Sequence, residues 1–301
     1  MANSNTGKKP PVGFIGLGAM GSRMALRLVD AGYPLTAYNR SPEKTQKLAE
    51  RGARIVKTPR EVAAEAEFIL SSVTDDSAVE LVMFGPDGAL AHAQPGAIFI
   101  ETSTISPHTV HLLSETAAMR GAVVIDAAVS GSTPQAEAGE LVIFAGGEQL
   151  DVYQSKPILD VLGKCFHVGP SGAGATMKLV VNAVLGVGMQ ALAEALALGE
   201  KAGLDRARLF EVLGQTGVVS PLQKAKLETA KSGQYPVNFP LRLMFKDFNL
   251  IFREAVRLSV PMPVTAVAQQ LFAAEFAKKH AEEDFSATIR TMEEMAAVPP
   301  A

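Results

Sequence analysis

The stretch VGFIGLGAMGSRMALRLVD, Val12 to Asp30, decides the fold. Val12-Gly13-Phe14-Ile15 reads as a short apolar strand that runs straight into Gly16-Leu17-Gly18-Ala19-Met20-Gly21. Beyond it Met24, Ala25, Leu28 and Val29 recur at helical spacing. Strand, GxGxxG, helix is the order of a dinucleotide-binding turn. Gly16 permits the tight turn, Gly18 lets the backbone approach a pyrophosphate, and Gly21 lets helix and strand pack closely. The N–H groups at the helix start then hold the anion, with Leu17, Ala19 and Met20 completing the loop.

The next strand, Leu35 to Tyr38, ends in Asn39-Arg40-Ser41-Pro42-Glu43-Lys44. An NAD site usually places Asp or Glu here to hold the ribose 2′-hydroxyl. This chain offers a neutral Asn39, a cationic Arg40, the Ser41 hydroxyl and Lys44. That set suits a 2′-phosphate, which Arg binds with paired donors, so NADP(H) is favoured over NAD(H). The same residues also suit an ordinary charged turn capped by Ser41 before Pro42, and the two readings are compatible.

Strand and helix signals then alternate to Val168, which means a mostly parallel sheet covered by helices on both faces. Strands are expected at 53–56, 68–73, 97–100, 122–125, 141–145 and 165–168. Ligands of such sheets sit beyond the carboxyl ends of the strands, where Ser71 to Asp75 (including Val73 and Thr74) and Glu101 to Pro107 (including Thr104) fall. Capping the following helix is the commoner role for such residues; lining the inner half of a cofactor is the other. The segment 126–139 reads first as a polar surface loop. Its Ser130-Gly131-Ser132 also suits an anion-holding nest of backbone N–H groups with two hydroxyls.

From Gly172 to Gly203 one helix is predicted, opened and closed by glycines and spanning roughly 40 Å from Ala175 to Ala202 at 1.5 Å per residue. Between Leu179 and Leu198 it is apolar almost all round, which predicts burial on every side. Lys178 and Asn182 stand one turn apart on one face. Burial and the helix dipole would both lower the pKa of Lys178, as proton transfer requires; a lysine snorkelling to the surface is the alternative. Further helices are predicted at 205–213, 221–231, 241–258, 263–280 and 284–297, with no convincing strand. Lys246-Asp247 sits among apolar residues and reads by default as a solvent-facing pair, otherwise as a lysine reaching a binding cleft. The fold class is therefore α/β. A Rossmann-like, doubly wound, mostly parallel sheet over 1–169, with a flexible tail at 1–10, precedes an all-helical substrate and oligomerisation domain over 170–301, linked by the long helix.

The totals exclude several classes. A net charge of -3 and 6% aromatic residues leave no basic surface for nucleic acid. A single cysteine, Cys165, rules out an intrachain disulfide and any CxxC site and fits a reducing compartment. The tail MANSNTGKKPP lacks the apolar core of a signal peptide, so a cytoplasmic location is expected. The apolar helix reaches the length of a membrane span but carries Asn182, Gln190 and Glu194, so no membrane is expected. The five histidines have no metal-ligand spacing, and no metal is expected.

Taken together, these motifs resemble the β-hydroxyacid dehydrogenase family, which includes 3-hydroxyisobutyrate dehydrogenase, tartronate semialdehyde reductase and the glyoxylate/succinic semialdehyde reductases. The resemblance covers Val12 to about Met295 through GFIGLGAMG (Gly13 to Gly21), Asp126 to Gly139, Gly172 to Asn182 and Lys246-Asp247. It implies Lys178 as proton donor and acceptor with Asn182 beside it, and Ser130, Gly131 and Ser132 on a substrate carboxylate. Thr104 is implied on the nicotinamide ribose side, and Lys246, with Asp247 next to it, on the cofactor or substrate. The substrate implied is a small hydroxyacid or semialdehyde, and the assembly a homodimer or homotetramer. Ala128 stands where the family usually has proline, and Val181 where it has the first Asn of an Asn-Asn pair. Ser132, with Pro134, Ala136 and Glu137, leans toward the semialdehyde reductases. An imine reductase-like enzyme and a non-catalytic NADP-binding module are the alternatives.

Overall fold

The structure is a computed structural model that describes residues 9–299; the first eight residues of the predicted tail lie outside the described residues. The chain divides into two compact units, Met1–Lys178 and Leu179–Ala301.

The first unit carries β1 (Val12–Ile15), α1 (Gly21–Asp30), β2 (Leu35–Tyr38), α2 (Gln46–Glu50), β3 (Arg54–Ile55), α3 (Pro59–Ala63) and β4 (Phe68–Ser71). It continues through α4 (Asp76–Phe84), β5 (Ile98–Glu101), α5 (Pro107–Ala118), β6 (Val123–Ser130), α6 (Thr133–Ala138), β7 (Leu141–Gly146), α7 (Gln149–Leu162) and β8 (Gly163–Gly169). The strands form one sheet in the order β3-β2-β1-β4-β5-β6-β7-β8. Every pairing is parallel except β6 with β7. Order reverses at β1, with β2 on one side and β4 on the other, which is the crevice where such sheets bind dinucleotides.

Local chemistry explains the elements. The α1 stripe Met24, Ala25, Leu28 is fully buried. The first turn of α3 closes with a Thr58/Glu61 capping box and Pro59, and α5 opens on Ser106, whose hydroxyl accepts the Thr109 N–H. One apolar layer joins α1, α6 and α7 to the sheet through Leu28, Ala136 and Leu159. A second joins α3, α4 and α5 through Val62, Val79 and Leu113. Helices thus cover both faces.

One expectation fails here. The segment 126–139 is not a surface loop: β6 runs on to Ser130, pairing Asp126 to Ser130 antiparallel with β7, and α6 follows. The six residues of α6 are too few for a crossover back to a parallel strand, which takes about a dozen, so the chain reverses beside β6. The polar letters 130–139 concealed the buried run Val124 to Ala128 before them.

The second unit is helical: α8 (Ala173–Lys201, which starts in the first unit), α9 (Arg206–Gln215), α10 (Pro221–Ala230), α11 (Leu241–Leu258), α12 (Pro263–Ala277) and α13 (Thr288–Met295). Met189, Leu196, Phe210, Met244, Phe248 and Phe272 build its core. Close packing of α8 on α11 needs Gly186, where a Cβ would lie 2.4 Å from the Phe248 ring. Two boundaries move inward from expectation. α12 stops at Ala277, and Lys279 beyond it takes a left-handed φ of 68°; a 3-10 turn, Phe285–Ala287, precedes α13.

Burial of α8 on every side is also overturned. Val180, Val184 and Leu198 are 55%, 72% and 73% exposed, with Ala191 and Ala195 between them on the same face. Only the opposite face enters the core. There Gln190 donates to Glu194 and accepts from Thr288.

Candidate active site

The glycine turn after β1 has the geometry its sequence requires. Gly16 has φ 95°, and a Cβ there would lie 2.3 Å from the Ser72 carbonyl oxygen on the loop after β4. A Cβ on Gly21 would lie 2.1 Å from the Gly16 oxygen. Around Gly18, by contrast, nothing stands within 4 Å of that point. Turn, packing and open approach are thus divided among the three glycines. α1 has no side-chain cap and no acidic residue in its first turn, so its N-terminal dipole faces an anion without competition from the chain. Gly18 and Ala19 are exposed.

Asn39 braces this turn. Its Oδ1 accepts the Leu17 N–H at 2.7 Å and its Nδ2 donates to the Ser41 oxygen at 2.8 Å. Arg40 and Lys44 are exposed, and no ion pair engages either among the described residues. Ser41 precedes a 3-10 turn, Pro42–Thr45, without a side-chain capping bond. The capped-turn reading of Ser41 is therefore not realised.

At the carboxyl ends of β4 and β5, beside the middle of β6, lies an acid and hydroxyl cluster. Glu101, 1% exposed, accepts from the Ser71 hydroxyl and from the Ser103 N–H. The Ser103 hydroxyl accepts the Val73 N–H at 2.8 Å, and Thr102 donates to the Ser71 oxygen. Val73, Thr74 and Thr104 thus lie on loops tied to one another. Burial pushes the Glu101 carboxyl up to about 6, against the bonds from Ser103 and Ser71; the neighbouring Asp126 charge adds to the rise. Capping also holds nearby: Asp75 accepts the Ala78 N–H at the start of α4.

A group held above its ordinary pKa of 4.5 contributes stability below that pH and loses it as pH rises through about 6. Near neutrality the ionised form costs about 2 kcal/mol. Glu101→Gln keeps an oxygen for the Ser103 N–H and is expected to be more stable than the parent by about that amount at pH 8, and no more stable at pH 4.5. Thermal unfolding midpoints at the two pH values check this.

Asp126, opposite Glu101 in register, is 2% exposed. Its Oδ1 accepts the Gly172 N–H at 2.9 Å and its Oδ2 the Ala175 N–H at 2.7 Å. Burial raises its pKa and these N–H groups oppose the rise. Lys178, half-buried, follows on the next turn of α8. Ser130 ends β6, Gly131 follows with φ 133°, and Ser132 opens α6. Both the N–H and the hydroxyl of Ser132 donate to Gln135 Oε1, at 3.0 and 2.7 Å.

In the second unit Asn182 is 1% exposed and its Nδ2 donates to Asp247 Oδ2 at 2.6 Å. Its own Oδ1 is buried without a hydrogen-bond partner. Asp247 is itself 1% exposed, so the solvent-facing reading of Lys246-Asp247 fails. Lys246 Nζ lies 2.9 Å from Asp247 Oδ1 at an angle that makes an ion pair and not a hydrogen bond. Among the described residues no group of three or more His, Cys, Asp or Glu side chains is placed to hold a metal.

Sequence reasoning placed Glu101 and Asp126 inside candidate segments but gave neither a role of its own. The available signal was an acid ending a strand of buried apolar residues, Ile98-Phe99-Ile100-Glu101, where only a paired or neutral carboxyl is tolerated.

Two family models match in succession. Residues 11–169 match the NAD binding domain of 6-phosphogluconate dehydrogenase, and residues 172–292 match the domain described as NAD-binding of NADP-dependent 3-hydroxyisobutyrate dehydrogenase. The chain is 36% identical over 293 residues to 2-(hydroxymethyl)glutarate dehydrogenase of Eubacterium barkeri, covering 97% of each. It is 34% identical to glyoxylate/succinic semialdehyde reductase 1 of Arabidopsis thaliana, covering 93% of this chain and 98% of that one. The solved 3-hydroxyisobutyrate dehydrogenase of Mycobacterium tuberculosis with L-serine superposes with a TM-score of 0.86 at 29% identity, over 94% of this chain and 99% of that one. With a doubly wound sheet, an open glycine turn and matches along almost its whole length, the chain belongs to the β-hydroxyacid dehydrogenase family, whose members are NAD(P)-dependent oxidoreductases of small hydroxyacids.

Proposed function

We propose that this chain is an NADP(H)-dependent reductase that interconverts a small carboxylate-bearing aldehyde and the matching hydroxyacid, with Lys178 as general acid and base. The observation that carries the reading is the buried Asn182, pinned by Asp247 with its Oδ1 unpartnered, one helical turn from Lys178. A buried acceptor left unpaired costs about 1–3 kcal/mol. An ammonium or a substrate hydroxyl would relieve that cost.

The nicotinamide, when bound, supplies the hydride that the carbonyl carbon takes up, or receives it in oxidation. Lys178 gives its proton to the carbonyl oxygen as negative charge develops there, leaving a neutral amine; in oxidation the neutral amine removes the hydroxyl proton. Asn182 Oδ1 accepts from the ammonium or the hydroxyl and so orients the transfer. Ser130, Gly131 and Ser132 hold the carboxylate, which takes over the two Ser132 donors from Gln135. Gly16 to Met20 receive the pyrophosphate. Val73, Thr74 and Thr104 line the inner half of the cofactor, and Lys246, with Asp247 behind it, contacts cofactor or substrate.

Preference for NADP(H) is supported by the exposed Arg40 and Lys44, which no ion pair engages among the described residues, beside a Ser41 hydroxyl without a capping bond. Arg40→Asp is expected to shift the NADPH/NADH ratio of kcat/KM toward NADH by roughly ten- to a hundredfold, the scale of a charged hydrogen bond. An unchanged ratio would refute the 2′-phosphate assignment.

Self-association into a dimer or tetramer is supported by the apolar ridge Val180, Val184 and Leu198, too long to be scattered surface residues. Light scattering on the purified protein is expected to give a mass of two or four chains; one chain per particle at micromolar concentration would sink this part. The reaction itself is tested by offering glyoxylate, succinic semialdehyde, tartronate semialdehyde and a cyclic imine with each cofactor. Turnover is expected with at least one of the aldehydes. Consumption of the cyclic imine alone, or of none, would refute the reading.

A further inference from the structure

The buried carboxylate of Asp126 has a use that hydride transfer does not require of it. Its two oxygens each take one N–H at the start of α8, from Gly172 just before the helix and from Ala175 in its first turn, at 2.9 and 2.7 Å. The seat is fitted closely. A Cβ on Gly174 would lie 2.3 Å from the Phe144 oxygen and 2.6 Å from the Asp126 oxygen. A Cβ on Gly146 would lie 2.5 Å from Asp126 Oδ1 and 2.8 Å from the Gly174 nitrogen. The helix start is therefore pressed against the middle of β6 and the end of β7, with no room for a side chain on either side. Lys178 lies three residues beyond Ala175, so the azimuth and height of its Cα follow from this one clamp.

We infer that Asp126 is a positioning residue, which locks the first turn of α8 onto the sheet and through it sets the direction from which Lys178 reaches the reacting oxygen. This rests on Lys178 being the proton-transferring residue. The same carboxylate stands at the positive end of the α8 dipole, where a negative charge is favoured. Misplacing a catalytic group by about 1 Å can cost on the order of a hundredfold in rate.

The test is a double-mutant cycle. Asp126→Asn, nearly isosteric, retains one acceptor but turns an amide NH₂ toward the other N–H. It is expected to lower kcat at least tenfold, with the dissociation constant for NADPH within threefold of the parent. In the Lys178→Ala background the same substitution is expected to cause no further fall, because no lysine remains to be positioned. Asp126→Glu keeps the charge and displaces the turn by a methylene; it is expected to show the same signature and serves if the Asn variant does not fold. Equal losses in both backgrounds, or loss of NADPH binding in step with kcat, would overturn the inference and leave Asp126 a structural residue. A Lys178→Ala variant with normal turnover would instead overturn the assignment of the lysine, so the two failures are separable.

Discussion

Replacing Lys178 with alanine is expected to lower kcat by roughly two to four decades, the usual contribution of a positioned general acid or base, while NADPH binding stays intact. The lysine lies on the turn of α8 that follows the Asp126 clamp, half-buried, and one turn before the buried Asn182. Nothing in the glycine turn depends on it: Gly16 is fitted against Ser72, Gly21 is fitted against Gly16, and Gly18 stands open. Rate and cofactor affinity should therefore separate cleanly. Lys178→Arg sharpens the test, because a guanidinium keeps the charge but does not give up its proton at accessible pH. The Arg variant should resemble Ala in kcat. Stopped-flow measurement of a single turnover, with NADPH affinity from fluorescence titration, checks both parts.

The largest effect on stability is expected at Asp284. Its carboxylate, fully buried, accepts from Lys226 Nζ at 2.7 Å, from the Asn238 and Phe239 N–H groups at 3.0 Å, and from the N–H and hydroxyl of Ser286. Burial alone would raise its pKa, but Lys226 and these donors together hold it below the ordinary carboxylate value. The stability it contributes is therefore present above the usual carboxylate pKa and lost as pH falls through the depressed one. Asp284→Ala leaves a buried ammonium and three N–H groups unanswered and is expected to cost about 3–5 kcal/mol. Lys226→Met should cost less, since the carboxylate keeps its backbone donors. The order of the two thermal midpoints, with Asp284→Ala the lower, is the measurement; the reverse order would mean that the carboxylate needs the ammonium more than its backbone donors.

How much of this was legible in the chain differs from site to site. The glycine turn was readable because the tight turn at Gly16 and the close packing at Gly21 are backbone constraints that only glycine meets, and both are seen in the fold. Helix α11 was readable to the residue because of its strong apolar stripe, and the fold ends it at a left-handed Ser259. Strand β6 was not. Its inner half is apolar, but its outer half and α6 share the small polar letters of a loop, and pairing with β7 is a long-range fact. The exposed face of α8 was hidden for the opposite reason: Val180, Val184 and Leu198 look like core residues, and periodicity cannot say which apolar face has a partner within the chain. Asp247 misled because a charged pair beside Lys246 has a surface default, whereas its burial is set by Asn182, 65 positions away. Pairwise proximity of this kind leaves no trace in local spacing.

The most direct measurement of the central claim is chemical rescue of Lys178→Ala by small amines. Methylammonium can donate a proton where the lysine stood, and tetramethylammonium brings the same charge with none to give. Rate restored in proportion to methylammonium, and not by tetramethylammonium, is the result expected if a lysine proton completes the reduction. Equal restoration by both ions, or full turnover of the alanine variant without either, would show that the lysine supplies at most a charge.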